Sequence, residues 1–327
     1  MPTINFEFGF CKKFLIFPVK ITPFFPVQNM TKDIQAEGAL RAWGFLIVLA
    51  LIWGSSFILI KRGLEIFSPG EVGAFRIVAA GMVLLPLSLP RLKTLKKRQV
   101  KNLIIVGLMG SFIPAFLFAK AQTQLSSSLT GVFNAMTPLF VVIIGALFFN
   151  ARITKRNSIG LAIAFVGVVI LLMVKEGTYF GDFSEINSYA FYVLLACICY
   201  GFNLNIIKYR FVELKPVAIT ALSLLMVLPM ALIYLFAFTQ FSFKILHVEG
   251  AAEAAGYITL LGVLGTAIAL ILFNIMVKVA TPVFASSVTY LIPIVAIMWG
   301  LLDGEVLLPG HYFGIVAVIF GVWIGNR

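Results

Sequence analysis

Amide, hydroxyl and charged side chains are scarce in this chain, which is 61% hydrophobic and only 12% charged. A polar group inside an apolar stretch is costly to keep, so each is a candidate for lining a solute path or tying helices together. Trp53 and Ser56 are three residues apart and share a helix face. At an offset of 147 they fall on Tyr200 and Asn203, with Gly54 on Gly201, Lys61 on Lys208 and Pro69 on Pro216. An aromatic ring with a polar neighbour, present twice, suits a cavity wall that stacks an alkyl or ring group and hydrogen-bonds its substituents. Adhesion between helices through the same hydroxyl and amide is the other reading. The two stand level for Ser56, and the cavity is preferred for Asn203.

A second polar face runs through Ser127, Thr130, Asn134 and Thr137, at spacings of 3, 4 and 3. Its counterpart later in the chain includes Thr289, opposite Asn134, and the adjoining Tyr290. Pro138 and Pro293 follow four residues on, and each deprives the carbonyl one turn earlier of its helical donor. Those carbonyls belong to Asn134 and Thr289, so side chain and carbonyl together could hold a solute ammonium or hydroxyl. A kink satisfied by nearby Ser and Thr is the alternative. Asn274 stands alone among apolar neighbours and reads as interfacial, with cavity lining as the second choice. Arg76 reads as snorkelling or pairing with Glu71, with a gate or an anion contact as the alternative. His247 and His311 are isolated and expected outside the membrane, Cys11, Cys197 and Cys199 form no CxxC, and GxxxxGK[ST] is absent. No metal, cofactor or bound nucleotide is therefore expected.

The elements that position these residues follow from the hydropathy, whose mean is +1.05. Ten apolar segments can be marked, at 42–60, 72–90, 102–121, 127–149, 157–174, 188–207, 216–238, 255–277, 282–302 and 309–326. Each is near the ~20 residues a helix needs to cross ~30 Å of hydrocarbon. No alternating pattern of a barrel is present, so the spans are helices. The net charge of +12 raises nucleic acid as a partner, but the basic residues lie in short loops between apolar runs. That placement sets orientation in a membrane instead, and nucleic acid is excluded. With the N-terminus in the cytoplasm, the run Arg91, Lys93, Lys96, Lys97, Arg98, Lys101 and most other cations lie inside. Only Lys61, Arg62, Lys120, Lys175 and Lys244 lie outside, together with most of the acidic residues. Both termini are thus expected in the cytoplasm. Residues 1–29 carry Lys12, Lys13 and Lys20 among Phe-Pro clusters, and Met30 reads as the true start of a lead-in that extends to residue 41.

The chain also repeats itself. An offset of 155 lays GLMGSFIPAFLF (107–118) on GVLGTAIALILF (262–273), Pro138 on Pro293 and Gly145 on Gly300. One residue less places Gly160 on Gly314 and Gly167 on Gly321. Glycines and prolines in register are hard to obtain by chance, so the chain divides into two five-helix copies, 42–175 and 188–326. An odd number of spans inserts the second copy upside down. The fold expected is all-α and integral to the membrane, with ten transmembrane helices in two inverted repeats, the plan of secondary transporters. The glycines at 160/167 and 314/321 allow close helix approach, most simply within one chain.

From Trp53, Gly54 and Phe57 onward the sequence resembles the EamA-type permeases of the drug/metabolite transporter superfamily. The resemblance continues through Arg76 in AFRIVAAG, Pro138, Pro293, the turn at Gly304-Glu305 and the glycine-spaced last helix, and covers nearly all of 42–326. In the first copy the turn reads FFNARIT, with Asn150 and Ala151 in place of Gly-Glu, so Glu305 alone can carry whatever that acid does. The resemblance implies ten helices around a central cavity and small metabolite substrates, commonly exported. The expectation is thus a non-enzymatic permease of the bacterial inner membrane, moving an amino acid or related solute outward by alternating access, as a monomer or homodimer. Substrate contacts are assigned to Trp53, Ser56, Thr130, Asn134, Tyr200, Asn203, Asn274, Thr289 and Tyr290, and gating or coupling to Arg76 and Glu305. The rival class, a membrane-embedded enzyme acting on lipids or isoprenoids, would need acidic or His pairs at the bilayer surface. A phosphatase fused after the last residue should be inactive in bacterial cells, because it stays in the cytoplasm; an active fusion would rule out the ten-span topology.

Overall fold

The computed structural model describes residues 27–151, 153–174, 187–211, 214–279 and 288–325, with side chains from Trp43 onward except at 94, 216, 274 and 277–279. No strand occurs among them. Helix α1 (Val27–Leu64) is followed by α2 (Pro69–Ser88), which continues as a 3₁₀ turn, Leu89–Thr94. Next come α3 (Lys97–Gly107), a π-turn (Leu108–Phe112) and α4 (Ile113–Ala121), stacked as one rod. Then follow α5 (Ser127–Asn134), α6 (Thr137–Phe149) and α7 (Lys155–Met173). The second copy runs α8 (Ala190–Arg210), α9 (Pro216–Ala237), a short α10 (Phe241–His247) and α11 (Ala251–Gly262). It continues through a second π-turn (Val263–Ile268) into α12 (Ala269–Val279), then α13 (Val288–Leu302) and α14 (Pro309–Gly325).

Eight of the resulting helical rods are long and apolar enough to cross a membrane, and α13 and α14 are shorter apolar helices. The sequence places the ninth segment's start at 282, and 282–287 lie outside the described residues. Helix starts follow local chemistry. Ser68 and Glu71 form a reciprocal capping box ahead of Pro69, and Thr154 and Asn157 form another at α7. Large apolar side chains such as Phe148, Phe165, Phe313 and Val316 point outward, which is stable only against lipid.

The two π-turns occupy the same register of the duplication, 108–112 and 263–268. Pro114 follows the first and removes a helical donor, but Ala269 stands in its place in the second. The proline alone therefore does not make the turn. Each π-turn is met by the other copy, in matching fashion. A Cβ on Gly262 would lie 2.6 Å from the Arg76 carbonyl oxygen, and one on Gly107 would overlap the Ser223 carbonyl. Arg76 and Ser223 are 147 apart, so they are equivalent positions of α2 and α9. Likewise Gly265 packs on Ser56 of α1, and Gly110 on the equivalent Asn203 of α8.

Helices α7 and α14 approach most closely of all. Gly160 lies on the backbone of Gly321 and Gly325, and Gly321 on that of Gly160 and Ala164. Gly167 meets the Gly314 carbonyl, a Cβ there falling 2.9 Å away, and Gly314 meets Gly167 in return. The glycine spacing read from the sequence thus serves contact within the chain. Gly321→Val puts a branched side chain against backbone that cannot move aside. It should destabilise the purified protein by about 1–3 kcal/mol or more, the range for overpacking, seen as a lowered melting temperature in detergent. Gly256→Ala, with nothing within 4 Å of the new Cβ, should leave it unchanged.

Candidate functional site

The polar candidates gather where the π-turns face α1, α2 and α8. Trp53 donates its indole N–H to the Gly265 carbonyl (3.0 Å), and its ring lies 5.5 Å from that of Phe273. Ser56 returns its hydroxyl to Ile52 of its own helix (3.0 Å) and is buried against Gly265. Arg76 donates from Nε to the Thr266 hydroxyl (2.9 Å), one residue along the same turn. It does not reach Glu71, contrary to the pairing expected from sequence. That carboxylate accepts the Ser68 N–H and the Lys244 ammonium, each at 2.7 Å, because it caps its own helix beside α10. Tyr200 lies in the neighbourhood of Arg76 and stacks on Phe118 at 6.1 Å. Asn203, one turn on, lies against Gly110 with its Oδ1 buried and unpartnered. An unmet buried acceptor costs roughly 1–3 kcal/mol, so this arrangement is poised for a donor.

The second polar face divides in use. Thr130 is fully buried and returns its hydroxyl to the Ser126 carbonyl (2.8 Å). The helix does break after Asn134, ahead of Pro138. The Asn134 carbonyl does not stay open, since it accepts the Thr137 hydroxyl (2.8 Å), with the Cys197 thiol of α8 at 3.8 Å. That leaves the half-buried Asn134 amide as the polar group at this level. In the second copy α13 runs unbroken through Pro293. Thr289 is half-buried, and the Tyr290 hydroxyl lies 3.3 Å from the Val322 carbonyl of α14. The side chain of Asn274 lies outside the described residues.

Where α1 ends and α5 begins, a charged cluster joins the two copies. The Glu305 carboxylate accepts the N–H groups of Ser127 (2.8 Å) and Ser128 (3.0 Å), the Ser128 hydroxyl (2.7 Å) and Lys61 Nζ (3.1 Å). An anion at a helix N-terminus meets unsatisfied N–H groups and the positive end of the dipole. Lys61 also pairs with Asp303 at 2.6 Å, and Arg62 with Asp303 and Glu65. Burial would raise the Glu305 carboxyl, but the Ser128 hydroxyl, the Ser127 and Ser128 N–H groups and Lys61 outweigh it and hold it below its ordinary value. The first copy has no such clamp. Ala151 takes the place of Glu305, its N–H bonding the Gly145 carbonyl six residues back (3.0 Å) where that of Glu305 bonds the Gly300 carbonyl five residues back (2.8 Å). Lys208, the counterpart of Lys61, lies 5.2 Å over the Tyr209 ring.

A model of the EamA-like transporter family matches residues 41–173 and again residues 187–327. The chain belongs to the EamA-like transporter family. The uncharacterized inner membrane transporter YedA of Escherichia coli strain K12 is 27% identical over 288 residues, spanning 86% of this chain and 90% of that one. The probable amino-acid metabolite efflux pump of Salmonella typhimurium is 27% identical over 138 residues, 40% of this chain and 43% of its own. A crystal structure 16% identical in sequence shares the fold, with a TM-score of 0.56 over 86% of this chain and 95% of that chain. As an EamA-like protein with inner membrane relatives, this is a multi-pass membrane protein. The relatives' names point to transport rather than to enzyme chemistry.

Several residues of this EamA-like site escaped sequence reasoning. Thr266 matches Ser111 at the offset of 155, a hydroxyl in both copies that could have marked it. Asn205 donates to the Val141 and Gly201 carbonyls, each at 2.9 Å, and Gln122 buries an amide with both polar atoms unpartnered. Neither carries a repeat signal. The lowered Glu305 value fixes a sign. Its contribution is complete above the ordinary carboxylate value of 4.5 and is lost as pH falls through the lower folded value. The melting-temperature gap between wild type and Glu305→Gln should stay constant from pH 8 to 5 and close only below about pH 4.5. A gap that narrows between pH 7 and 5 would mean the carboxylate titrates there.

Proposed function

We propose that the protein is a secondary transporter of the drug/metabolite type. It moves an amino acid or related small metabolite outward across the bacterial inner membrane by alternating access. Two five-helix repeats, 42–175 and 188–326, insert in opposite orientation to give ten spans with both termini in the cytoplasm. The observation that carries this reading is the exchange at the centre, where each π-turn packs on α1/α2 or α8/α9 of the other copy. Trp53, Arg76, Tyr200 and Asn203 all sit at that exchange. Inverted repeats hold their substrate site at such a junction and rock about it. The positive-inside distribution supports the orientation, and the Salmonella relative's name supports export of amino-acid metabolites.

In this reading the Glu305 cluster is the outer gate. It ties the α13–α14 turn to the start of α5 and the end of α1, and it must open for release. A carboxylate held ionised through the neutral range fits a fixed latch better than a proton carrier. Reconstituted in proteoliposomes and given labelled amino acids and metabolites, the protein should accumulate at least one saturably. Asn134→Ala and Asn203→Ala should each lower that uptake by about tenfold, as expected for a lost polar contact. Normal transport by both variants would displace the site while leaving the transporter reading intact; a wild type that moves no solute would sink the reading itself.

A further inference from the structure

We propose that Arg76 is the carboxylate-reading contact of the transport site, so that the solute carries a carboxylate group. The inference rests on the transporter reading for its location, and on three features of Arg76 for its chemistry.

The first is an unneutralised charge. Arg76 lies within an apolar spanning helix, where an arginine is expensive to place. Among the described residues no carboxylate lies within ion-pair distance of it. The acid nearest in sequence, Glu71, is engaged by Lys244 and by its own helix start. Thr266 offers only a neutral hydroxyl.

The second is that the scaffold does not require it. The equivalent position of the other copy holds Ser223, which returns its hydroxyl to Thr220 (3.0 Å). Both positions serve packing through their backbone carbonyls, against Gly262 and Gly107 respectively. The same contact is therefore made with a serine in one copy and an arginine in the other. What the guanidinium adds is chemical rather than architectural.

The third is the geometry of what is left over. Thr266 takes the Nε–H, and neither terminal nitrogen makes a hydrogen bond among the described residues. Both remain accessible, and Arg76 is half-buried. Two parallel N–H groups in a rigid fork match a carboxylate's two oxygens. Helices α2 and α8 do not pack closely on each other, and Tyr200 of α8 lies in the neighbourhood of Arg76. An anion held there would have the Tyr200–Phe118 stack on one side and the Trp53-capped π-turn on the other. Aromatic walls suit the apolar remainder of such a solute.

The test is binding first and transport second. Purified wild type, Arg76→Gln and Arg76→Ser are screened by thermal shift against the amino acids, 3-phenylpropanoate and phenethylamine, followed by competition for transport in proteoliposomes. Arg76→Ser copies the residue of the other copy and should melt near the wild type. The expected result is stabilisation of wild type by carboxylate-bearing ligands and not by the amine, with apparent affinity at least tenfold weaker in both variants. Arg76→Lys should recover part of it, since it keeps the charge and loses the fork. Equal response of variants and wild type to carboxylates overturns the proposal, as does a wild type that responds to no carboxylate or prefers the amine. Carboxylate binding lost in the variants, without transport by wild type, sustains the anion site and sinks the transporter reading alone.

Discussion

Helices in a bilayer gain little by hiding apolar surface from each other, because lipid tails are as apolar as their own side chains. What holds this bundle together is backbone meeting backbone where no side chain intervenes. Gly160, Gly167, Gly314 and Gly321 let α7 and α14 cross in atomic contact. Gly107 and Gly262 seat the start of each π-turn on a carbonyl of the other copy, and Gly54 and Gly201 do the same for α1 on α13 and α8 on α6. Each contact has a partner that exchanges the roles of the two copies. A duplication of the sequence has become a set of reciprocal joints, and the polar residues are fixed by where those joints fall.

On this nearly symmetric frame the charges are not symmetric. Arg76 faces the interior where its counterpart is Ser223. Glu305 binds the start of α5, whereas Ala151 fills the corresponding turn of the first copy and Lys208 lies over the Tyr209 ring. Both turns close by a backbone hydrogen bond onto the glycine near the end of the preceding helix, Gly145 in one copy and Gly300 in the other, without help from the Glu305 side chain. Two states related by exchanging the copies would be equal in energy if the copies were identical. Placing the clamp at one end and the cation on one wall makes the two copies chemically unequal.

The sequence made the helical class legible, because long apolar runs with charged loops have no other stable form in lipid. It also exposed the repeat, through glycines and prolines in register, and with it the pairing of Trp53 with Tyr200 and of Ser56 with Asn203. It misread partners. Arg76 was set against Glu71 because they are close along one helix, whereas Glu71 turns to Lys244, far off in the chain. The Asn134 carbonyl looked available because Pro138 strips its donor, but Thr137 and Cys197 supply others. Thr130 looked like part of a lining face and is sealed within its own helix turn.

What the sequence determined by itself, then, is what depends on one helix at a time: helical class, register, charge placement and which positions cannot bear a side chain. Periodicity and charge placement are local properties, and the bilayer converts them directly into structure. Only the tertiary structure decided which carbonyl meets which donor, that Glu305 ends on the N-terminus of α5, and that Arg76 meets the Thr266 hydroxyl and no carboxylate among the described residues. Those outcomes depend on distances between helices some 150 residues or more apart in sequence, from Ser128 to Glu305 and from Arg76 to Thr266. A hydrogen bond is made or lost within an ångström, and no spacing rule along the chain carries that information.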